Sequence, residues 1–177
     1  MLTTDRLVLR QVTRADAEDV LVFRGDAQVQ RYDSGALQGI DEVHELIDEA
    51  DGWYADQKAL VWGVTLKGMG HVIGLFAFYF WEQRYYVADL GYDLARAHWR
   101  QGIATEAIGE MLRWGFEELR MHRVNANTRT DNRPSVALLR RLGFTHEGTA
   151  RECIRSDDGS YQNWGVFGML AGEYAAH

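Results

Sequence analysis

The chain has 177 residues, 46% of them hydrophobic and 25% charged, with a formal net charge of −7. That size and balance suit one soluble globular domain, residues 1–177, with enough chain to bury a real core, and they exclude a disordered or fibrous protein. Residues 1–6 lack a signal-peptide hydrophobic region, and the longest uncharged apolar run, residues 72–81, is far too short to span a bilayer, so no membrane partner is expected.

Leu7-Val8-Leu9-Arg10-Gln11 reads as a first strand. Thr13, with Asp16 three residues on, forms a variant of the capping box, and a short helix through Val20 and Leu21 follows. Residues 25–39, punctuated by Gly25, Gly35 and Gly39, have weak periodicity and read as a loop. A helix begins near Asp41. Its apolar stripe is Val43, Leu46, Ile47, Ala50, Trp53 and Tyr54, and its other face carries Asp41, Glu42, Glu45, Asp48, Glu49 and Asp51. Strand-like runs at 60–66 and 71–80 are joined by Lys67-Gly68-Met69-Gly70, a hairpin signal. Glu82-Gln83-Arg84 makes another turn, and residues 85–94 form the next strand. Phe76, Phe78, Phe80, Tyr85 and Tyr86 are expected to pack the core in alternation.

The stretch 92–107 organises the chain. A strand runs into a turn containing Arg100, Gln101 and Gly102, and then into a helix with apolar residues at Ile103, Ala107, Ile108, Met111, Leu112, Phe116 and Leu119. Free N–H groups at a helix start bind anions, Gly102 lets a ligand approach the backbone, and Arg100 adds a guanidinium. The stretch therefore reads as a pyrophosphate cradle or as an ordinary turn before an ordinary helix. It matches neither the P-loop nor the three-glycine dinucleotide fingerprint. The helix runs to about Arg120, and residues 123–130 form a strand. Asn132-Arg133-Pro134 starts another helix, with Asn132 as cap and Gly143 as its terminator. Residues 144–154 and 163–170 are the last strands, joined by a turn at Asp157-Asp158-Gly159-Ser160. The sum is one mixed α/β domain.

Charge is uneven. Residues 96–141 hold nine Arg against five Asp or Glu, a net of +4, so the rest of the chain carries −11. A locally basic segment in an acidic chain suits a small polyanion better than nucleic acid. The single Cys153 fits a reducing cytoplasm and reads as a packed strand residue rather than a nucleophile. None of His44, His71, His122 and His146 has metal-ligand spacing, and no metal is expected.

Trp99-Arg100-Gln101-Gly102-Ile103-Ala104 resembles the acyl-CoA motif Gln/Arg-x-x-Gly-x-Gly/Ala of the GNAT N-acetyltransferase superfamily, with Trp99 in place of the leading Gln or Arg. Gly102-Ile103-Ala104-Thr105-Glu106-Ala107 is similar to the ribosomal-protein N-terminal (Rim-type) branch. Asn132 to Phe144 resembles the family pattern Asn-x-x-Ser/Ala ending in Leu-Gly-Phe, Glu147-Gly148 follows it, and residues 158–163 are similar to that branch's closing hairpin. The resemblance covers nearly the whole chain.

The resemblance implies a GNAT-like single domain: a central, mostly antiparallel sheet with a splayed pair of parallel strands, flanked by helices. Pantetheine would pair with Leu90-Gly91-Tyr92 like an extra strand, and the N–H near Leu90 would face the oxyanion. The pyrophosphate would lie against Arg100, Gln101, Gly102, Ile103, Ala104 and Thr105. Asn132 is a candidate pantetheine contact as well as a cap, and Asn127 is a second candidate. Asp89 is the leading base; its other role is as a structural partner to an Arg or backbone amide, and Glu82 and Glu152 are the reserves. Many GNAT enzymes carry an acidic Tyr where this chain has Leu139, so Ser135 becomes the candidate proton relay, with a plain helix-start hydrogen bond as its other role. The implied activity is cytoplasmic, direct acetyl transfer from acetyl-CoA to a primary amine, preferably a protein or peptide N-terminus. The alternatives are a polyamine or aminoglycoside acceptor and a non-catalytic acyl-CoA-binding regulator; a homodimer is compatible with each. The acidic set Asp26, Asp33, Asp41, Glu42, Glu45, Asp48, Glu49 and Asp51, against Arg31 alone among Lys and Arg of residues 25–54, points to a cationic acceptor.

Overall fold

The structure, a computed structural model, describes residues 1–33, 35–156 and 159–174. Along the chain come β1 (Leu2–Thr3), β2 (Leu7–Arg10), α1 (Ala17–Arg24), α2 (Ile40–Ala55), β3 (Leu60–Leu66), β4 (Val72–Glu82) and β5 (Val87–Leu94). Then follow α3 (Ile103–Glu117), β6 (Arg123–Arg129), α4 (Arg133–Arg141), β7 (Thr145–Arg155), β8 (Tyr161–Leu170) and the single turn α5 (Ala171–Tyr174). Among the described residues the strands form one sheet in the order β1-β2-β3-β4-β5-β6-β8-β7. Every neighbouring pair is antiparallel except β5 and β6, which α3 joins as a crossover.

Both faces of the sheet are covered, which is why β4 reads as a nearly unbroken apolar run. On one face α3 and α4 bury Ile108, Met111, Leu112 and Leu139 over Phe76, Phe78, Leu90 and Val124. On the other, α1 and α2 bury Val20, Phe23, Val43 and Ile47 over Val72 and Leu75. The N-terminal arm is tied to this second layer by Asp16. Its carboxylate takes a fork of hydrogen bonds from Arg10 at 2.6 and 2.9 Å and two more from the Thr13 N–H and hydroxyl. The capping signal at Thr13 thus also anchors a strand.

Four expectations change. Strand β5 starts at Val87, because Tyr85 and Tyr86 lie in the turn before it and are exposed. Phe80 is 80% exposed rather than packed: the β4–β5 register shifts between Tyr79 and Glu82, and Phe80 takes φ +47° there. Tyr54, at the end of the α2 stripe, is exposed. Cys153 is exposed too, since the β7–β8 register shifts between Ala150 and Ile154 and turns it off the packed face. Of the turn expected at 157–160, Asp157 and Asp158 lie outside the described residues.

Asp16 is held ionised below the ordinary carboxylate range, chiefly by the Arg10 hydrogen bond. A depressed native value adds stability above that range, and the addition is lost as pH falls through the native value. Asp16→Asn should therefore lower unfolding stability by about 2 kcal/mol at neutral pH. In urea melts run against pH, the gap between variant and parent should close in acid.

Candidate active site

The parallel pairing of β5 with β6 lasts three residues: Val87↔Arg123, Ala88↔Val124 and Asp89↔Asn125. Beyond Asp89, residues 90–94 keep their β4 partners on one edge and have no ladder partner on the other, while β6 continues along β8. The two strands open as a wedge, and its free backbone edge can accept an extended ligand as a further strand. The closed end is pinned by side chains: Asn125 Nδ2 donates to Asp89 Oδ1 at 2.7 Å. The Asn125 amide is oriented by Arg123, whose guanidinium also pairs with Glu147 at 2.5 Å.

At the open end β5 runs into α3 through the cradle turn. Gly102 sits at the helix entrance with φ +76°, the left-handed region that favours glycine, so the turn rather than mere slimness requires it. A Cβ there would lie 3.4 Å from Arg6 Nη2. Arg100, also at positive φ, is exposed; Gln101 donates to the Ala97 carbonyl, and the Trp99 indole donates to the Leu94 carbonyl at 2.7 Å. Trp99 thus anchors the turn. Glu106 in the first turn of α3 is pulled aside by the N-terminal arm. Its oxygens accept from Thr4 Oγ1, the Arg6 N–H and Arg6 Nε, and Arg6 Nη1 also donates to the Gln101 carbonyl. The carboxylate is neutralised where it would oppose an anion at the helix start. Ile103 is buried, while Ala104 and Thr105 are half-buried along that first turn.

The opposite wall is α4. Asn132 caps it, its Oδ1 accepting from the Ser135 N–H at 3.3 Å. Ser135 Oγ lies 2.7 Å from Tyr92 Oη, so a hydrogen bond crosses the wedge. Leu139, one turn further on, is 1% exposed in the core. Asn127 is exposed on β6, above the end of the parallel ladder.

On the α1–α2 side of β5 lies a cavity of about 550 Å³. Trp53, Tyr79 and Phe80 give it aromatic walls, and Asp33, Glu49, Asp93 and Arg24 give it charge. Gly91 forms part of its lining, and any Cβ at that position would meet the Tyr79 ring at 2.6 Å; the β4 pairing is regular there, so Gly91 marks a close approach and no bulge. Asp93 pairs with Arg24 at 2.5 Å and takes a weaker bond from Gln30 at 3.3 Å. Burial nonetheless pushes the Asp93 carboxyl up, with Arg24 opposing. Burial likewise pushes Tyr79 up to about 12, helped by the Asp93 charge, and Tyr92 up to about 12.

The structure thus gathers Asp89, Leu90, Gly91 and Tyr92 with Ser135 and Asn132 around the wedge, and it sets the cradle residues at the wedge's open end. Glu82 and Glu152 stand apart and exposed, Glu82 at the end of β4 and Glu152 on the β7 irregularity. Sequence reasoning missed Arg24, Asp93, Tyr79 and Trp53 as one cavity. Strand alternation alone would have put Asp89, Gly91 and Asp93 on one face. Of the acids in residues 25–54, only Asp33 and Glu49 line it. Asp48 pairs with Arg14, Asp51 accepts from Gln11, Glu42 accepts from the Gln38 N–H, and Asp26 pairs with Arg96. Among the described residues no cluster of His, Cys, Asp or Glu could hold a metal ion, and no helix is long and apolar enough to cross a membrane.

A wedge between parallel strands, feeding a glycine-entered helix, defines an acyl-CoA transferase scaffold. Residues 6–145 match the acetyltransferase (GNAT) domain. The chain is 32% identical to the uncharacterized N-acetyltransferase YoaA of Bacillus subtilis over 164 residues, 92% of this chain and 89% of that one. It is 25% identical to the ribosomal protein uS5-alanine N-acetyltransferase of Escherichia coli over 173 residues, 88% and 84% of the two chains. Its fold superposes with TM-score 0.86 on spermidine N-acetyltransferase from Vibrio cholerae, solved with CoA and spermine, at 22% identity and covering 97% and 99% of the two chains. The chain belongs to the GNAT family, and it is an acetyl-CoA-dependent N-acetyltransferase.

A raised tyrosine value means that the unfolded chain loses that proton first, so Tyr79 and Tyr92 contribute stability that is intact below pH about 10 and fades above it. In an alkaline absorbance titration of the eight tyrosines, Tyr79 and Tyr92 should ionise late, near pH 12, with Tyr174 also delayed. Tyr79→Phe and Tyr92→Phe should each remove one late step.

Proposed function

We propose that the protein acetylates the free amine of a protein or peptide N-terminus, preferring acceptors with further positive charge, by direct attack on acetyl-CoA. The observation that carries this reading is the juxtaposition across Gly91. An unpaired strand edge able to hold pantetheine lies on one side, and an aromatic cavity carrying Asp33, Glu49 and Asp93 lies on the other. The pyrophosphate rests on the α3 entrance at Arg100, Gln101, Gly102, Ile103, Ala104 and Thr105. Pantetheine lies along Leu90, Gly91 and Tyr92, with Asn132 and Asn127 on the facing wall. The Leu90 N–H meets the developing oxyanion.

Asp89 takes the amine proton, directly or through water. Its bond to Asn125 fixes one oxygen and leaves the other for this work. Ser135 meets the leaving sulfur. The uS5-alanine relative supports a ribosomal-protein N-terminus as the acceptor. The same carboxylate-bearing cavity also suits a small polyamine, the acceptor class named by the Vibrio cholerae structure. The setting is cytoplasmic, in keeping with a single unpaired thiol.

Thiol release over a panel of peptides and amines tests the acceptor. At low salt, Lys- or Arg-rich peptides should react faster than acidic ones, and the advantage should shrink as the Debye length falls to about 8 Å at physiological ionic strength. Glu49→Gln should reduce it further. Robust turnover of polyamines with no peptide activity would replace the peptide reading.

Asp89→Asn should lower turnover by about 10²–10⁴-fold, the usual cost of losing a general base. Its acetyl-CoA affinity, measured by calorimetry, should stay near the parent value. Turnover within about threefold of the parent, far short of that range, would make Asp89 a purely structural partner of Asn125.

A further inference from the structure

Two side-chain hydrogen bonds join the walls of the wedge: Asn125 to Asp89 at its closed end, and Tyr92 Oη with Ser135 Oγ, 2.7 Å apart, further up. The two ends of the upper bond are unequal. Tyr92 is locked by its surroundings: its ring stacks on Phe76 with centroids 5.9 Å apart at 23°, and it packs with Leu90 and Leu94 against the α3–α4 core. Ser135 is half-exposed in the first turn of α4. A serine there, left alone, turns its hydroxyl among several acceptors, including the carbonyl one helical turn back. One turn further along α4, Leu139 is packed away and offers no acid. The phenol that reaches Ser135 therefore stands on β5, the strand facing α4.

We propose that Tyr92 is a positioning residue for acetyl transfer: its phenol donates to Ser135 Oγ and so commits the serine's own hydrogen to the sulfur of the departing thiolate. The proposal rests on the reading of Ser135 given above. In the step itself the amine nitrogen forms the new C–N bond as the C–S bond breaks. The C–S electron pair stays on sulfur, and the amine proton goes to Asp89. Tyr92 keeps its proton. Burial holds its value near 12, well above the thiol range of about 8.5, and a serine hydroxyl is weaker still as an acid. CoA thus leaves as a thiolate stabilised by the Ser135 hydrogen bond and takes a solvent proton after release. An aligned donor in a water-poor cleft is what this requires, and a strong acid is not.

The test is steady-state kinetics on Tyr92→Phe, Ser135→Ala, the double variant and Ser135→Thr, with melting temperatures recorded in parallel. Tyr92→Phe and Ser135→Ala should each lower kcat about tenfold, equivalent to about 1.4 kcal/mol. The KM for acetyl-CoA should stay within about twofold. The double variant should be no slower than the slower single one, because the two groups act as a unit. Ser135→Thr, which keeps the hydroxyl, should retain most of the rate. Parent kcat in Tyr92→Phe with a slow Ser135→Ala overturns the role of Tyr92 and leaves that of Ser135 standing. Parent kcat in Ser135→Ala removes the Ser135 reading itself. Additive losses, or a lower melting temperature with unchanged kcat, would mean that the bond only braces the walls, and would overturn the proposal.

Discussion

The parallel ladder between β5 and β6 ends at Asp89↔Asn125, and the rest of the site is arranged around that ending. Backbone N–H and C=O groups away from water need partners. A strand edge left open inside a sheet is therefore tolerable only where solvent or a ligand can reach it. The crossover through α3 makes the opening possible. It carries the chain from the C-terminal end of β5 over the sheet face and returns it as β6, so α3 starts at the mouth of the same wedge. Strand edge and helix entrance are thus fixed relative to one another by one connection, and a ligand with an extended body and an anionic tail fits both.

Two contacts hold that geometry. At the closed end, small and branched side chains, Ala88 and Val124, are fully buried and let the strands meet, with the Asp89–Asn125–Arg123–Glu147 chain alongside. At the mouth, the N-terminal arm clamps the cradle through Thr4 and Arg6. The pair Arg6–Glu106 is partly exposed, and such pairs contribute little to stability on their own. Its weight here is positional: it holds an acidic side chain at the helix start that the proposed reading gives to the pyrophosphate.

Much of this was legible in the sequence, where local rules decide the outcome. Gly102 at the helix entrance, Asn132 as a cap and Gly143 past the helix end follow from residue type and order, and the wedge between parallel strands followed from the family resemblance. The misreadings fall where tertiary register overrides local pattern. Phe80 continues the alternation of Phe76 and Phe78 perfectly, yet a register shift beyond Tyr79 turns it outward to the cavity mouth. Cys153 goes astray for the same reason on β7. Arg24 and Asp93 are 69 positions apart, and nothing local ties an arginine at the end of α1 to an aspartate on β5. The reason for Gly91 was likewise hidden, since it depends on the Tyr79 ring of the neighbouring strand.

Strand β5 does more than expose an edge. Side chains alternate across a strand, so Asp89, Gly91 and Asp93 face the α1–α2 layer while Leu90, Tyr92 and Leu94 face α3 and α4. Of the first set, Gly91 and Asp93 border a charged, aromatic cavity while Asp89 is held by Asn125, and the second set is apolar except for one phenol and the serine it touches. In the proposed reaction these two environments serve opposite needs. The amine must lose a proton, so it approaches from the face with carboxylates. The sulfur must leave with an electron pair, so it departs towards hydrogen-bond donors, away from negative charge that would oppose it. A strand with a period of two keeps nucleophile and leaving group in different electrostatic surroundings only a few ångströms apart. The glycine between them carries no side chain, and the Tyr79 ring packs directly onto it.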